Sequence, residues 1–131
     1  MSIEIIITDD DPQFRMMMQQ MLEPTPHRIT LCENGNVLIQ ALRQSDGPVV
    51  VYLDLYMDVC DGIKALEPIQ SVDRLLRLRL VTGGEEYAAA AATLIAKSHG
   101  MNLGETLFKP FSKDAFMRAL AEDTASLQSQ S

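Results

Sequence analysis

The chain has no tryptophan, only 5% aromatic residues and just 2 cysteines. Cys32 and Cys60 lie far apart, with neither CxxC nor CxxH spacing, so the pattern points to neither a zinc site nor a redox pair. Free, reduced thiols are the expectation. Basic residues are scarce, 11 against 18 acidic ones, and the net charge of -7 argues against unaided nucleic-acid binding. Partners should be basic, neutral or metal-bridged. Long apolar runs are missing as well. The stretch Ile3 to Ile7 is interrupted by Glu4 and ends in three aspartates, too short for a signal peptide or a membrane span. A soluble, cytoplasmic protein is expected.

With 131 residues and 47% hydrophobic content, the chain suffices for one domain with a closed core. Residues 1–125 are expected to form it, and the polar, aperiodic 126–131 to fray or to begin a linker. Ile3 to Thr8 reads as a first strand. Asp11-Pro12 then starts a helix, with Asp as cap and Pro in the first turn. Phe14, Met17, Met18, Met21 and Leu22 form one apolar stripe on that helix, read as core. Pro24 and Pro26 end it, Arg28 to Cys32 alternates as a second strand, and Val37, Leu38, Ala41 and Leu42 mark a second helix.

Val49 to Leu55 is nearly continuous in apolar residues, the pattern of a central strand covered on both faces, and it delivers Asp54 to its carboxyl end. Asp61-Gly62 predicts a turn before a third helix, which Pro68 must kink or shorten. Leu76 to Val81 alternates like a half-exposed strand, with Arg79 unaccounted for. A fourth helix carries the stripe Tyr87, Ala90, Ala91, Leu94 and Ile95 and ends at Gly100. Glu105 to Phe108 reads as a fifth strand, and Ser112 as the cap of a last helix. Strands and helices that alternate with short connections imply a parallel sheet with helices on both faces, a doubly wound three-layer α/β domain.

In such a sheet the groups at successive strand ends converge on one crevice. Here they are Asp9-Asp10-Asp11, Asp54, Thr82 and Lys109-Pro110. Confined carboxylates raise each other's pKa, and a divalent cation is the simplest compensation. Mg²⁺ suits oxygen ligands and phosphate, with Asp10 and Asp54 as direct ligands. Asp54 can then attack phosphorus as a carboxylate nucleophile, Lys109 neutralise an equatorial oxygen, and Thr82 donate its hydroxyl beside Gly83-Gly84. Asp11 reads better as a helix cap than as a ligand. Thr82 and Lys109-Pro110 are ordinary punctuation when taken singly. Asp54 is not, because a lone Asp in a long apolar strand is costly to bury without compensation.

Together "IIITDDDP", "VVVYLDLYMDVCDG", "LVTGG" and "LFKPF" resemble the receiver domain of bacterial two-component response regulators, over nearly the whole chain. The resemblance implies a flavodoxin-like (βα)5 fold of strand order 2-1-3-4-5. It also implies phosphotransfer to Asp54 from the phosphohistidine of a sensor kinase or a histidine phosphotransfer protein. Asp9 and Asp10 match the acidic pair, Tyr56 the position that lends Mg²⁺ a backbone carbonyl, and Thr82 and Lys109 the switch hydroxyl and the lysine. The segment "AKSHGMNLGETLFKPF" is similar to receivers that precede EAL-type cyclic-di-GMP phosphodiesterase domains. That likeness implies such an output domain in a longer parent chain as a partner; a homodimer is a separate expectation, and whether phosphorylation drives it is left open by the sequence.

Departures from the pattern are Asp58, where many receivers carry Pro, and Thr106, where an inward-turning Tyr or Phe is usual. Arg79, in place of an apolar residue, is open between an ion pair and a protein contact. Tyr56 and Gly84 flank the path of the hydrolytic water by analogy, so a slowed discharge of the acyl phosphate is expected. Rival readings are a haloacid-dehalogenase-type phosphatase with Asp9 as nucleophile, a flavin carrier of the same fold, and a receiver that never takes phosphate.

Overall fold

The computed structural model describes residues 3–57, 61–84 and 86–130. Strand β1 (Glu4–Thr8) leads into helix α1 (Pro12–Leu22), and β2 (Arg28–Cys32) into α2 (Gly35–Gln44). Strand β3 (Val49–Asp54) leads into α3 (Gly62–Gln70), and β4 (Leu76–Thr82) into α4 (Glu86–Ser98). Two short strands, β5 (Asn102–Leu103) and β6 (Leu107–Phe108), precede the last helix, α5 (Lys113–Gln130). All pairings are parallel, in the order β2-β1-β3-β4-β5, with β6 also on β4. This is the doubly wound, flavodoxin-like arrangement that the alternation of elements predicts. No helix among the described residues is long and apolar enough to cross a membrane.

The pleat sends alternate residues to opposite cores. Ile5, Ile7, Val50 and Tyr52 pack with Met18 and Leu22 of α1 and Phe116 and Leu120 of α5. Ile6, Val51, Leu53 and Leu78 pack on the other side with residues of α2, α3 and α4. Pairing of Thr8 with Leu53 and of Asp54 with Val81 makes β1, β3 and β4 end level, so Asp9, Asp54 and Thr82 emerge side by side.

Several expectations need correction. The fifth strand is not one run over 105–108. Only Leu107–Phe108 of that range is strand, as β6, and β5 lies ahead of it at Asn102–Leu103; between them the Arg79 guanidinium donates to the Glu105 carbonyl at 2.7 Å. A Cβ at Gly104 would collide with that guanidinium. The segment 126–130 does not fray: α5 runs to Gln130, with Leu127 fully buried and the Ser126 hydroxyl accepting from Asn102 at 2.9 Å. On α4, Tyr87, Ala90, Ala91 and Leu94 of the expected stripe lie on the outer face, and Ile95 alone of the five packs against the core. Tyr87 is 84% and Leu94 72% exposed, while Ala89, Ala92 and Ala96 face the sheet. Alanine serves either face, so a run of it hides which side lies inward. Pro68 stands inside α3, which ends two residues later at Gln70. Gly62 belongs to α3 rather than to a turn, with Asp61 as the cap through the Lys64 N–H. Asp58 and Cys60 lie outside the described residues.

Strand β4 is not half exposed. Residues Leu78 to Thr82 are all buried, and Arg79 is only 2% exposed. Asp123 of α5 accounts for it. Arg79 donates to both Asp123 oxygens, at 3.0 and 2.8 Å, and to the Ala119 carbonyl at 3.3 Å. Arg77 Nε adds a 2.7 Å contact to Asp123, and the Tyr52 hydroxyl donates to it at 3.0 Å. Burial, then the Asp123 charge, pushes the Tyr52 hydroxyl well above its ordinary pKa. Arg79 is therefore an ion-pair residue that docks α5 on β4.

Removing one member of a buried ion pair strands its partner, whereas replacing the pair with apolar groups is tolerated. Asp123→Ala is expected to lower the unfolding free energy by ~3–5 kcal/mol in urea titrations, and the double variant Arg79→Met/Asp123→Leu to recover most of that.

Candidate functional site

The first carboxylate of the crevice is held from several sides. Asp9 follows β1 directly and is 1% exposed. Its Oδ1 accepts from the Asp11 N–H at 2.9 Å, its Oδ2 lies 2.6 Å from Lys109 Nζ, and its carbonyl accepts from Arg15 at 2.6 Å. Asp10 is exposed at the rim. Asp11 turns away, its Oδ1 accepting from the Gln13 N–H at 2.9 Å as the cap of α1, which Pro12 begins.

Asp54 ends β3, whose six residues are all buried. A carboxylate there has little water to stabilise it, and among the described residues its Oδ1 receives one hydrogen bond, a long 3.4 Å one from the Tyr56 N–H. Lys109 Nζ stands 3.8 Å from the same oxygen. One oxygen each of Asp9, Asp10 and Asp54 lie within 4.8 Å of one another. That oxygen-only, acidic donor set fits a hard divalent cation such as Mg²⁺. Burial, then the charge of Asp9, raises the Asp54 carboxyl to about 6, with Lys109 and the Tyr56 N–H pulling the other way.

Thr82 ends β4 and is fully buried. Its hydroxyl accepts from the Gly84 N–H at 3.0 Å, so it is engaged by its own loop. The Lys109 N–H donates to the Thr82 carbonyl at 2.8 Å, which ties the lysine to the end of β4. The Lys109-Pro110 peptide is cis. The Tyr56 ring, 49% exposed, lies on Gly84, where any Cβ would collide with it. It bridges the loops that follow β3 and β4. Thr106 sits half-buried between β5 and β6, apart from this cluster.

Of the residues singled out in the sequence, Asp9, Asp10, Asp54 and Lys109 are thus brought together, and Thr82 and Tyr56 stand at the ends of the adjoining loops. Two neighbours carried no sequence signal. Arg15 holds the Asp9 carbonyl, and Phe14 lies with its ring 4.1 Å from Lys109 Nζ. Phe14 fits the helical stripe of α1, and that periodicity concealed its second contact.

A family model described as "Response regulator receiver domain" matches residues 5–121. An uncharacterized response regulatory protein of Vibrio cholerae is 29% identical over 89 residues, which cover 66% of this chain and 34% of that protein. The chain thus spans about a third of that relative's length. Among solved structures, a CheY-like response regulator receiver domain protein from Methanospirillum hungatei superposes with a TM-score of 0.86 at 15% identity, over 100% of both chains. The receiver domain of a Pseudomonas aeruginosa sensor histidine kinase, solved with magnesium coordinated in its active-site cleft, gives 0.74 at 22% identity, over 94% of this chain and 98% of that one.

Because the folded pKa of Asp54 lies above its ordinary 3.8, folding takes up a proton between the two values. The stability of the protonated form is complete below about 3.8 and is lost as pH rises through about 6. Asp54→Asn is expected to stabilise the metal-free protein by ~2 kcal/mol at about pH 7.5 and by little at about pH 3.5, measured by urea unfolding. Added Mg²⁺ should narrow the difference at the higher pH.

Proposed function

The chain belongs to the response regulator receiver domain family, and from that premise we propose that it is a phosphoacceptor, charged at Asp54 by the phosphohistidine of a sensor kinase or histidine phosphotransfer protein. The observation that carries this reading is Asp54 itself, buried at a strand end 3.8 Å from one ammonium and grouped with two further carboxylates. Asp9, Asp10 and Asp54, with the Tyr56 carbonyl, would hold Mg²⁺, which when bound supplies positive charge against the phosphoryl oxygens. An Asp54 oxygen bonds to phosphorus as the P–N bond breaks, and the leaving imidazole nitrogen keeps the electron pair and takes up a proton. Lys109 takes one phosphoryl oxygen. The Thr82 hydroxyl turns from the Gly84 N–H to donate to another, drawing that loop inward.

The resulting change of surface around the Thr82 loop and α4 is the output. Its reader is an output domain, of the EAL type by the likeness of residues 96–111, or a second copy of the chain. Thr106 offers no aromatic ring to the switch. The reading places the protein in the cytoplasm, with its phosphohistidine donors. The haloacid-dehalogenase-type alternative needs Asp11 as the acid partner of Asp9, and Asp11 is committed to the helix cap.

Incubation with acetyl phosphate and Mg²⁺ tests the reading, since the Asp54 oxygen displaces acetate, which leaves with the electron pair of the P–O bond. Intact-mass measurement is expected to show one phosphoryl group on the wild type and none on Asp54→Ala. Uptake by Asp54→Ala, or none by the wild type, overturns it. Because the Tyr56 ring covers Gly84 at the crevice mouth, Tyr56→Asn is expected to shorten the lifetime of the phosphorylated form several-fold at constant Mg²⁺, read as loss of radiolabel. Equal lifetimes would show that the ring does not hinder water.

A further inference from the structure

We propose that Phe14 is a positioning residue for Lys109: the face of its ring holds the ammonium at one place in the crevice, ready for a phosphoryl oxygen. The inference rests on the reading of Asp54 as phosphoacceptor.

Lys109 carries its charge on a flexible stem of four methylenes, and nothing in a lysine fixes where the ammonium comes to rest. Here Nζ lies 2.6 Å from Asp9, 3.8 Å from Asp54 and 4.1 Å from the centroid of the Phe14 ring. A carboxylate alone would draw the ammonium to itself and away from Asp54. An aromatic face attracts a cation through its quadrupole and brings no formal charge. It can therefore hold the lysine without adding a fourth anion to a crowded site. The contact also survives the reaction. The ammonium moves from Asp9 toward an oxygen on Asp54 while staying against the same ring.

The ring is itself supported. Phe14 meets Phe111 edge to face, with centroids 6.0 Å apart, and Phe111 packs on Phe116 at 6.2 Å. Phe116 packs on Tyr52 at 5.2 Å, and the Tyr52 hydroxyl is bonded to buried Asp123. Of the 4 phenylalanines in the chain, Phe14, Phe111 and Phe116 are spent on this row. Phe111 lies two residues beyond Lys109, so the packing partner of the ring and the lysine it holds travel on one connection. A leucine at position 14 would fill the volume and offer no such face.

The test compares wild type, Phe14→Leu and Phe14→Tyr. The first readout is the ring-current shift of the Lys109 ε-methylene protons in the unphosphorylated, metal-free protein, by NMR. The second is the initial rate of phosphorylation by acetyl phosphate at saturating Mg²⁺. The wild type and Phe14→Tyr should show upfield-shifted ε protons and equal rates. Phe14→Leu should lose the shift and slow about fivefold, the size of a partly desolvated cation–π contact. Unshifted protons in the wild type, a Phe14→Leu rate within about twofold of wild type, or a Phe14→Tyr rate as slow as Phe14→Leu, overturns the proposal. Should Phe14→Leu fail to fold, the wild-type shift and the Phe14→Tyr rate still decide. Failure of the underlying reading is distinct, since the wild type would then take up no phosphoryl group while the proton shift still reports where the lysine rests.

Discussion

Three grouped carboxylates, two of them in contact with the Lys109 ammonium, set the terms for the crevice at the carboxyl ends of β1 and β3. The ammonium already has a short contact with Asp9, and what the described residues leave for Asp54 is a 3.8 Å approach and a long bond from the Tyr56 N–H. The deficit is held in place by structure that gains nothing from it directly. The five buried residues of β3 that precede it fix the position of Asp54, the cap at Asp11 fixes the turn after β1, and the bond from the Lys109 N–H to the Thr82 carbonyl fixes the lysine. Grouped carboxylates with this little compensation fit a divalent cation, and cation and lysine together would leave positive charge for an anionic group such as a phosphoryl.

The second charged centre of the sheet shows the opposite arrangement. Arg79 and Asp123 are buried as deeply as Asp54, yet their oxygens and nitrogens are met by each other, by Arg77, by the Tyr52 hydroxyl and by backbone carbonyls. A network satisfied within itself has no demand left for a ligand and serves to seat α5. Tyr52 and Arg79 face one another in register on β3 and β4, two residues before Asp54 and three before Thr82. The closed centre and the open one thus share two strands. Satisfaction, not burial or charge, separates the structural role from the chemical one.

Which parts of this were legible in the sequence follows from the range of the interactions. Strand ends are local features, so Asp9, Asp10, Asp54, Thr82 and Lys109 could be read off the patterning and the sheet geometry. The partner of Arg79 could not be, because Asp123 lies 44 positions away on a helix whose last turns look polar. For the same reason the extent of α5 was hidden, since Leu127 supplies its only deeply buried apolar anchor beyond Asp123. The inward face of α4 was concealed by alanine on both sides. Phe14 satisfied a helical period so well that nothing pointed to its contact with a lysine 95 positions on, a meeting that only the folded crevice creates.

The interruption between β5 and β6 bears on how the protein behaves at high concentration. An outer strand ordinarily presents a row of unpaired amides and carbonyls on which a foreign strand can zip up. Here that rim offers two residues, then a gap where the Glu105 carbonyl is turned inward to an arginine, then two more. Neither stub is long enough to template a ladder. Along this border the molecule is guarded against cross-strand polymerisation by the same guanidinium that seats its last helix.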